Sequence, residues 1–308
     1  MTIIEPRLQS DLLADRVAIV TGGSRGIGGA TSTMLAANGA KVVIAEVDAA
    51  KAEESVATLN DAYGAGTASA FVADLVAPDS CDRLVAHTRD TFGGSLDIVV
   101  NNAGYAWDGG IHSMTDEQFQ AMLDIHLVVP FRLARATAPV FRELAGADGD
   151  RDDIYRKTVM VSSMAGQWGL QGAGNYAAAK AGMLGLMRTM SQEWGKYRVC
   201  VNAVAFGIIQ TRFGLPQSED EVIEVGGRTV HVGMPAKQAE RRGVSLDEKP
   251  TEEQMYASQP VPNAMVPLGR TGNIRDAAES IFWLCSPLSD YVTGQTLVVS
   301  GGAKGGMS

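Results

Sequence analysis

Residues 17–28 read Val-Ala-Ile-Val-Thr-Gly-Gly-Ser-Arg-Gly-Ile-Gly, an apolar run that passes directly into a glycine-rich turn. An uninterrupted apolar run of this length is typical of a strand that is buried on both faces. A helical pattern follows from about Gly26 to Asn38. A turn between a strand and a helix suits a pyrophosphate, because backbone N–H groups and the positive end of the helix dipole meet there.

The same alternation of strand and helix continues along the chain. Further strands are predicted at Val42–Ala45, Ala70–Ala73, Ile98–Val100, Val159–Ser162, Val199–Ala205 and Thr296–Val299. Further helices are predicted at Ala49–Tyr63, Asp79–Phe92, Asp116–Leu144, Asn175–Tyr197 and Ile274–Cys285. This alternation predicts an α/β fold of the Rossmann type, a doubly wound parallel sheet of seven strands with helices on both faces.

One stretch, residues 214–262, interrupts this rhythm. Two alternating runs, Glu221–Val225 and Arg228–Val232, flank Gly226-Gly227 and predict a β-hairpin. Long connections inside a compact domain commonly act as lids or binding loops. We therefore predict one dinucleotide-binding and catalytic domain over 1–308, with 214–262 as an insertion that acts as a substrate lid.

Composition excludes several classes of function. The net charge of −9 and the lack of a Lys/Arg-rich block argue against a nucleic-acid partner. No apolar run reaches the roughly 18 residues of a membrane span, so we expect a cytoplasmic protein without a membrane partner. The three cysteines and four histidines are scattered along the chain, and this spacing predicts no metal site.

Three motifs at predicted strand ends resemble the short-chain dehydrogenase/reductase family. They are the pattern T-G-x-x-x-G-x-G over Thr21–Gly28, Asp74 after the third strand, and Asn-Asn-Ala-Gly over 101–104 after the fourth. Within the family, the chain looks most similar to the 3-oxoacyl-[acyl-carrier-protein] reductases. The resemblance implies a nicotinamide dinucleotide cofactor and the following cofactor-binding residues: Thr21, Gly22, Ser24, Arg25, Gly26, Ile27, Gly28, Glu46, Asp74, Leu75, Asn102, Ala103, Gly104, Tyr176, Lys180, Gly207, Ile209 and Thr211.

The candidate catalytic residues are Ser163, Tyr176 and Lys180. Tyr176 and Lys180 are spaced i, i+4 and so share one helical face, and Ser163 follows the fifth predicted strand. Ligands of doubly wound folds lie at the carboxyl ends of the strands. The resemblance implies that Tyr176 exchanges a proton with the substrate oxygen while Ser163 hydrogen-bonds it. We expect the Lys180 ammonium to favour the tyrosinate form and to hold the nicotinamide ribose.

Two positions depart from the family pattern. His126 stands where the family has a catalytic Asn that anchors a proton-relaying water. Either a helix kink at His126 presents a backbone carbonyl for that purpose, or His126 replaces Asn only sterically. The second departure is Phe206-Gly207, where the family generally has Pro-Gly. The loop that follows resembles the one that holds the nicotinamide amide, here through Ile209 and Thr211.

The choice between NAD and NADP depends on two residues. Glu46 ends the second predicted strand, where a carboxylate accepts hydrogen bonds from ribose hydroxyls and repels a 2′-phosphate. Arg25, inside the glycine-rich turn, resembles members that prefer NADP. Because Glu46 is expected to lie closer to the 2′ position, we predict that NAD is preferred.

These features predict an NAD(P)-dependent oxidoreductase that interconverts a secondary alcohol and a ketone. The leading substrate is a 3-oxoacyl thioester with its 3-hydroxyacyl counterpart. The alternatives are a bulky, steroid-like secondary alcohol and a non-catalytic NAD-binding role. The family resemblance also implies a homo-oligomer, a dimer or a homotetramer, formed through the outer faces of the two long helices.

Overall fold

Seven parallel strands form the central sheet of the protein. The computed structural model describes residues 11–151, 153–212, 222–231 and 262–303. The strands of the sheet are β1 (Val17–Thr21), β2 (Lys41–Glu46), β3 (Ala68–Val72), β4 (Ile98–Asn101), β5 (Arg156–Ser163), β6 (Val199–Phe206) and β9 (Thr296–Val299). They lie in the order β3-β2-β1-β4-β5-β6-β9, and every pairing is parallel. The predicted doubly wound sheet of seven strands is therefore confirmed.

Helices cover both faces of the sheet, because each parallel connection must cross over it. They are α1 (Gly26–Ala37), α2 (Ala49–Tyr63), α3 (Ser80–Thr91), α4 (Asp116–Leu123), α5 (Val129–Ala147), α6 (Ala165–Trp168), α7 (Gly174–Trp194) and α8 (Ile274–Cys285). One apolar cluster joins the sheet to α3, α4, α5 and α7, and a second joins it to α1, α2 and α8. Central strands are buried along their whole length, as the continuous apolar runs indicated.

The strand order reverses between β1 and β4, which creates a crevice at the carboxyl ends of these two strands. The glycine-rich turn after β1 and the Asn-Asn-Ala-Gly segment after β4 therefore lie side by side. Each candidate site residue ends or follows a strand at this edge, or lies in a helical segment that comes after such a strand. The fold thus places the predicted site at its switch point.

The predicted continuous helix over Asp116–Leu144 was wrong in one respect. A π-helical turn, Asp124–Val128, separates α4 from α5, and the Val129 N–H donates to the Asp124 carbonyl five residues earlier. Pro130 follows directly. Because proline has no N–H and its ring clashes with the carbonyl four residues before it, the α-helical bond to the His126 carbonyl cannot form.

The predicted hairpin is confirmed within the described part of the insertion. Strands β7 (Val222–Val225) and β8 (Arg228–His231) pair antiparallel around Gly226 and Gly227. Both glycines have positive φ, +60° and +71°, as a two-residue hairpin turn requires. The remainder of the predicted lid lies outside the described residues, so its substrate-covering role stays a prediction.

Candidate active site

The glycine-rich turn after β1 is bound tightly to the segment after β4. The Thr21 hydroxyl accepts the backbone N–H groups of Asn102 and Ala103, both at 2.9 Å. The Asn102 side-chain amide donates to the carbonyls of Thr21 at 3.0 Å and Gly22 at 3.2 Å. These bonds join two loops that are distant in the sequence into one rigid surface, which we call the floor of the site.

Glycine at position 28 is required by this close packing. A Cβ on Gly28 would lie 2.0 Å from the Gly22 carbonyl oxygen and 2.5 Å from the Asn102 amide nitrogen. Gly26, in contrast, has φ +53° and open space at the position of a Cβ. Helix α1 begins at Gly26 without a side-chain cap from Arg25. An open, glycine-lined helix N-terminus of this kind fits the pyrophosphate of a dinucleotide.

Polar groups of the turn after β1 meet polar groups at the end of β2, where an adenosine ribose is expected. Ser24 donates a hydrogen bond from its hydroxyl to the Glu46 carboxylate, whose other oxygen accepts the Val47 N–H at 2.9 Å. Arg25 lies 3.7 Å from the carboxylate of Asp48. The positive charge of Arg25 is thus already opposed by an acidic neighbour, whereas the Glu46 carboxylate stands at the strand end.

Asp74 and Leu75 follow β3 and take different environments. Leu75 is buried in the core. The Asp74 carboxylate accepts the Val76 N–H at 2.9 Å on one oxygen and the Gly226 N–H at 2.6 Å on the other. The second bond joins the adenosine end of the predicted site to the hairpin turn, a contact that nothing in the sequence indicated.

Ser163, Tyr176 and Lys180 come together at the end of β5 and the start of α7. The Ser163 hydroxyl interacts with the Tyr176 phenol and accepts the Ala165 N–H at 3.1 Å. The Lys180 Nζ lies 5.5 Å from the centre of the Tyr176 ring and donates to the Val161 carbonyl at 2.6 Å. The three candidate catalytic residues therefore form one cluster, although they come from two elements.

Enclosure in the protein controls the ionisation of this cluster. Burial raises the pKa of Tyr176 to about 12, and the contact with Ser163 opposes that shift. Burial lowers the pKa of Lys180 to about 7. The sequence predicts that the Lys180 ammonium favours tyrosinate, but burial is the largest influence on the pKa of Tyr176 and shifts it in the opposite direction. Both groups consequently prefer their neutral forms more than free side chains do.

This burial predicts a pH dependence of stability that belongs to Lys180. Between about pH 7 and its ordinary pKa of 10.5, the unfolded chain binds the lysine proton more tightly than the folded chain. Stability therefore rises with pH across that window, as the cost of the buried charge disappears. The side chain introduced by Lys180→Met does not titrate. The free energy of unfolding of this variant, relative to that of the unaltered protein, should therefore be highest near pH 7 and decrease towards pH 10.

Urea unfolding of both proteins across this pH range measures the difference. The variant also loses the hydrogen bond to the Val161 carbonyl. This loss changes its free energy of unfolding by the same amount at every pH, so the pH dependence of the difference is preserved. A difference in unfolding free energy that stays constant with pH would contradict the assignment of a depressed pKa to Lys180.

His126 sits in the π-helical turn, against the segment after β4. Its Nε2–H donates to the Tyr105 carbonyl at 2.7 Å, and its ring meets the Tyr176 ring edge-on at a centroid distance of 5.0 Å. Burial, aided by Lys180, lowers the pKa of His126 well below its ordinary value. Nδ1 is buried and finds no hydrogen-bond partner among the described residues. A Cβ on Gly104 would lie 2.1 Å from the imidazole, so only glycine admits the ring there.

The loop after β6 completes the edge of the site. Phe206 is buried, and the Gly207 N–H donates to the Val299 carbonyl at 3.0 Å. Ile209 forms a parallel bridge with Gly272. These two strand-like contacts hold the loop in place, although Phe206 stands where the family has proline. Thr211 lies two residues further on, one residue before the described stretch ends.

Asn175 is a positioning residue that the sequence did not suggest. Its amide nitrogen donates to the carbonyls of Trp107 at 3.0 Å and Gln118 at 2.9 Å, and its oxygen accepts the Tyr176 N–H at 2.8 Å. The side chain is fully buried. Asn175 thus ties the start of α7 to the loop after β4. The only sequence feature that could have indicated this role is the position of Asn175 next to Tyr176, and adjacency alone does not reveal such contacts.

Metal-binding clusters and membrane-spanning helices are both absent from the part of the chain that the structure describes. No cluster of three or more His, Cys, Asp or Glu residues is arranged to hold a metal ion. In the same residues, no helix combines the length and apolar character needed to cross a bilayer.

Comparison with known proteins agrees with this geometry. A family model described as short chain dehydrogenase matches residues 16–222, and one described as Enoyl-(Acyl carrier protein) reductase matches residues 250–304. The chain belongs to the short-chain dehydrogenase family. It is therefore an oxidoreductase, and membership implies a nicotinamide cofactor.

Several curated relatives align with nearly the whole chain. The 3-oxoacyl-[acyl-carrier-protein] reductase FabG of Vibrio cholerae is 32% identical, with 94% of this chain and 98% of the relative covered. FabG of Escherichia coli is 30% identical, with 93% and 96% covered. An uncharacterized oxidoreductase of Mycobacterium bovis is 31% identical, with 95% and 98% covered. The chain is thus similar to these reductases from end to end.

Proposed function

We propose that this protein reduces 3-oxoacyl thioesters to 3-hydroxyacyl thioesters, with NADH as the preferred cofactor. The observation that carries the proposal is the cluster of Ser163, Tyr176 and Lys180 at the mouth of the crevice. This cluster and the glycine-rich turn follow strands at the same edge of the sheet, which supports a proton donor and a dinucleotide site near one another. The names of the full-length relatives support the substrate class.

The roles of the three side chains follow from their chemistry. When bound, the reduced nicotinamide supplies a hydride to the carbonyl carbon of the substrate. The Tyr176 hydroxyl donates a proton to the carbonyl oxygen, since its high pKa keeps it protonated. Ser163 donates a hydrogen bond to that oxygen and stabilises the charge that develops on it. We assign to Lys180, whose Nζ lies 5.5 Å from the centre of the Tyr176 ring, the roles of replenishing the proton and holding the nicotinamide ribose.

His126 supplies a second route for protons. Because Pro130 has no N–H, the His126 carbonyl lacks its α-helical donor at the π-helical turn. The neutral imidazole also offers Nδ1 as a buried acceptor. We propose that a water held at this turn connects Lys180 to solvent. This supports the kink interpretation of His126 over simple steric replacement.

A substrate panel tests the proposed function. NADH consumption is measured with a short 3-oxoacyl-CoA, a long 3-oxoacyl-CoA, the matching acyl-carrier-protein thioester and a 3-oxosteroid. We expect the highest kcat/KM for the thioesters. A clear preference for the steroid would overturn the substrate assignment in favour of a bulky secondary alcohol. A lack of turnover with every ketone would overturn the proposed activity altogether.

The preference for NAD is supported by the charges at the end of β2. The Glu46 carboxylate would repel a 2′-phosphate, and the charge of Arg25 is opposed by Asp48 at 3.7 Å. Glu46→Gln keeps the size of the side chain and removes the repulsion. We expect this change to improve NADPH affinity relative to NADH about tenfold, which corresponds to roughly 1.4 kcal/mol.

Fluorescence titration of both cofactors measures that ratio. Glu53→Gln, an exposed change on α2, serves as the charge-matched control and should leave the ratio unaltered. Tighter binding of NADPH than NADH by the unaltered protein would overturn the preference.

We also propose a cytoplasmic homo-oligomer, a dimer or tetramer. Large apolar side chains remain exposed on the surface, Phe119 on α4 and Phe131 on α5 among them. Exposed apolar side chains of this size are frequent at subunit interfaces. Sedimentation equilibrium gives the mass directly, and a monomer at micromolar concentration would contradict the proposal.

A further inference from the structure

The hairpin Val222–His231 is the largest described feature that the proposed activity leaves without a role. It lies between the ranges that the two family models match, apart from its first residue. Val225 and Val230 are 5% and 3% exposed and belong to the same apolar cluster as Leu75 and Tyr105. The hairpin is therefore docked on the body of the domain as part of its core.

Its docking contacts converge on the loop after β3. The Gly226 N–H donates to the Asp74 carboxylate at 2.6 Å, across a sequence separation of 152 residues. Arg228 lies 3.4 Å from the carboxylate of Glu117 and 3.6 Å from that of Asp124. One strand of the hairpin is thus held by α4 and the π-helical turn, and the turn itself is held by Asp74.

The sheet order decides which end of a dinucleotide lies there. A pyrophosphate over the turn after β1 leaves two directions for the rest of the molecule. The nicotinamide must point towards β5, because Ser163 and Tyr176 follow that strand. The adenosine half must then point the opposite way, towards the ends of β2 and β3, where Glu46 and Asp74 stand.

We propose that the hairpin Val222–His231 forms a wall of the adenosine site and retains the cofactor. This inference rests on the proposed use of a nicotinamide dinucleotide. Each carboxylate oxygen accepts two hydrogen bonds, so the Asp74 oxygen that accepts Gly226 can also accept the amino group of adenine. The hairpin thereby fixes the orientation of Asp74 and shields this bond from water. The described part of the insertion acts on cofactor affinity, and not on the substrate.

Binding of two half-ligands tests the proposal. ADP-ribose carries the adenosine end with the pyrophosphate and lacks the nicotinamide ring, whereas reduced nicotinamide mononucleotide carries the nicotinamide end and lacks the adenosine. Gly226→Pro removes the N–H that Asp74 accepts and also opens the turn, because proline cannot adopt the φ of +60° found there. Arg228→Gln leaves the turn residues in place and removes the charge that faces Glu117 and Asp124. We expect each variant to weaken ADP-ribose and NADH about tenfold in calorimetric titrations, with the mononucleotide unchanged.

Matched controls separate this role from general damage. Thr229→Val changes an exposed hairpin hydroxyl that bonds to Glu224 within the hairpin, and it should leave all three affinities unaltered. Arg228→Gln preserves the turn, so it keeps the test valid if Gly226→Pro unfolds. Unchanged or tighter ADP-ribose binding in Arg228→Gln, or equal weakening of the mononucleotide, would overturn the inference. Failure of the unaltered protein to bind NADH or NADPH would instead overturn the proposed function, and the inference with it.

Discussion

Tyr176→Phe is expected to lower turnover about a thousandfold while NADH affinity stays within about twofold of the unaltered protein. The change removes the single hydroxyl that is placed to exchange a proton with the substrate oxygen. The ring itself remains, with its edge-on contact to His126 and its place beneath the Lys180 Nζ. Cofactor binding and folding should therefore survive the loss of the reaction.

Steady-state rates and a fluorescence titration of the same preparation measure the two effects. Tyr63→Phe, at the exposed end of α2, is the control for loss of a phenol and should retain full activity. Turnover by Tyr176→Phe near that of the control would remove Tyr176 from the catalytic set.

Gly28→Ala is expected to lower the free energy of unfolding by about 3 kcal/mol and dinucleotide affinity about a hundredfold. The new methyl group would overlap the Gly22 carbonyl oxygen at 2.0 Å and the Asn102 amide at 2.5 Å. Neither neighbour moves alone, because Asn102 also bonds to Thr21. The turn must deform, and with it the floor on which a pyrophosphate would lie.

Urea unfolding and NADH titration report these two losses. Gly146→Ala, in α5, is the matched control, since a Cβ there meets open space and the helix gains from alanine. Gly28→Ala as stable as that control would show that the two loops are not packed as described.

The sheet could be predicted from the sequence because parallel strands buried on both faces leave an unmistakable pattern. Apolar runs such as Val17–Val20 allow few alternatives once helical patterns separate them. The hairpin around Gly226-Gly227 could be predicted for a related reason, since its turn requires two residues with positive φ. These features depend on local chemistry, which a single sequence carries in full.

The π-helical turn could not be predicted with the same ease. Apolar periodicity continues through Asp124–Val128, so the segment reads as unbroken helix. Pro130 was the one local signal, but proline near the middle of a helix more often marks a kink than a π turn. The bond from His126 to the Tyr105 carbonyl, 21 residues away, helps hold the turn and depends on tertiary packing.

Two further properties of the site depend on three-dimensional contacts. The ionisation of Tyr176 and Lys180 follows from burial, and a spacing of four residues does not reveal burial. The bond between Asp74 and Gly226 joins two motifs that the sequence identified separately. The sequence pattern identifies Asp74 and Gly226 separately. Whether they make contact depends on how the hairpin packs on the rest of the domain.

Transfer of deuterium from NADH to a 3-oxoacyl-CoA is the most direct test of the proposed reduction. NADH carrying deuterium at the transferable ring position is incubated with the protein and a short 3-oxoacyl-CoA, and the thioester is recovered for mass spectrometry. We expect a 3-hydroxyacyl-CoA that carries the label on the carbinol carbon, formed by the unaltered protein and lost with Tyr176→Phe. Recovery of unreduced thioester after prolonged incubation with labelled NADH, and likewise with labelled NADPH, would contradict it.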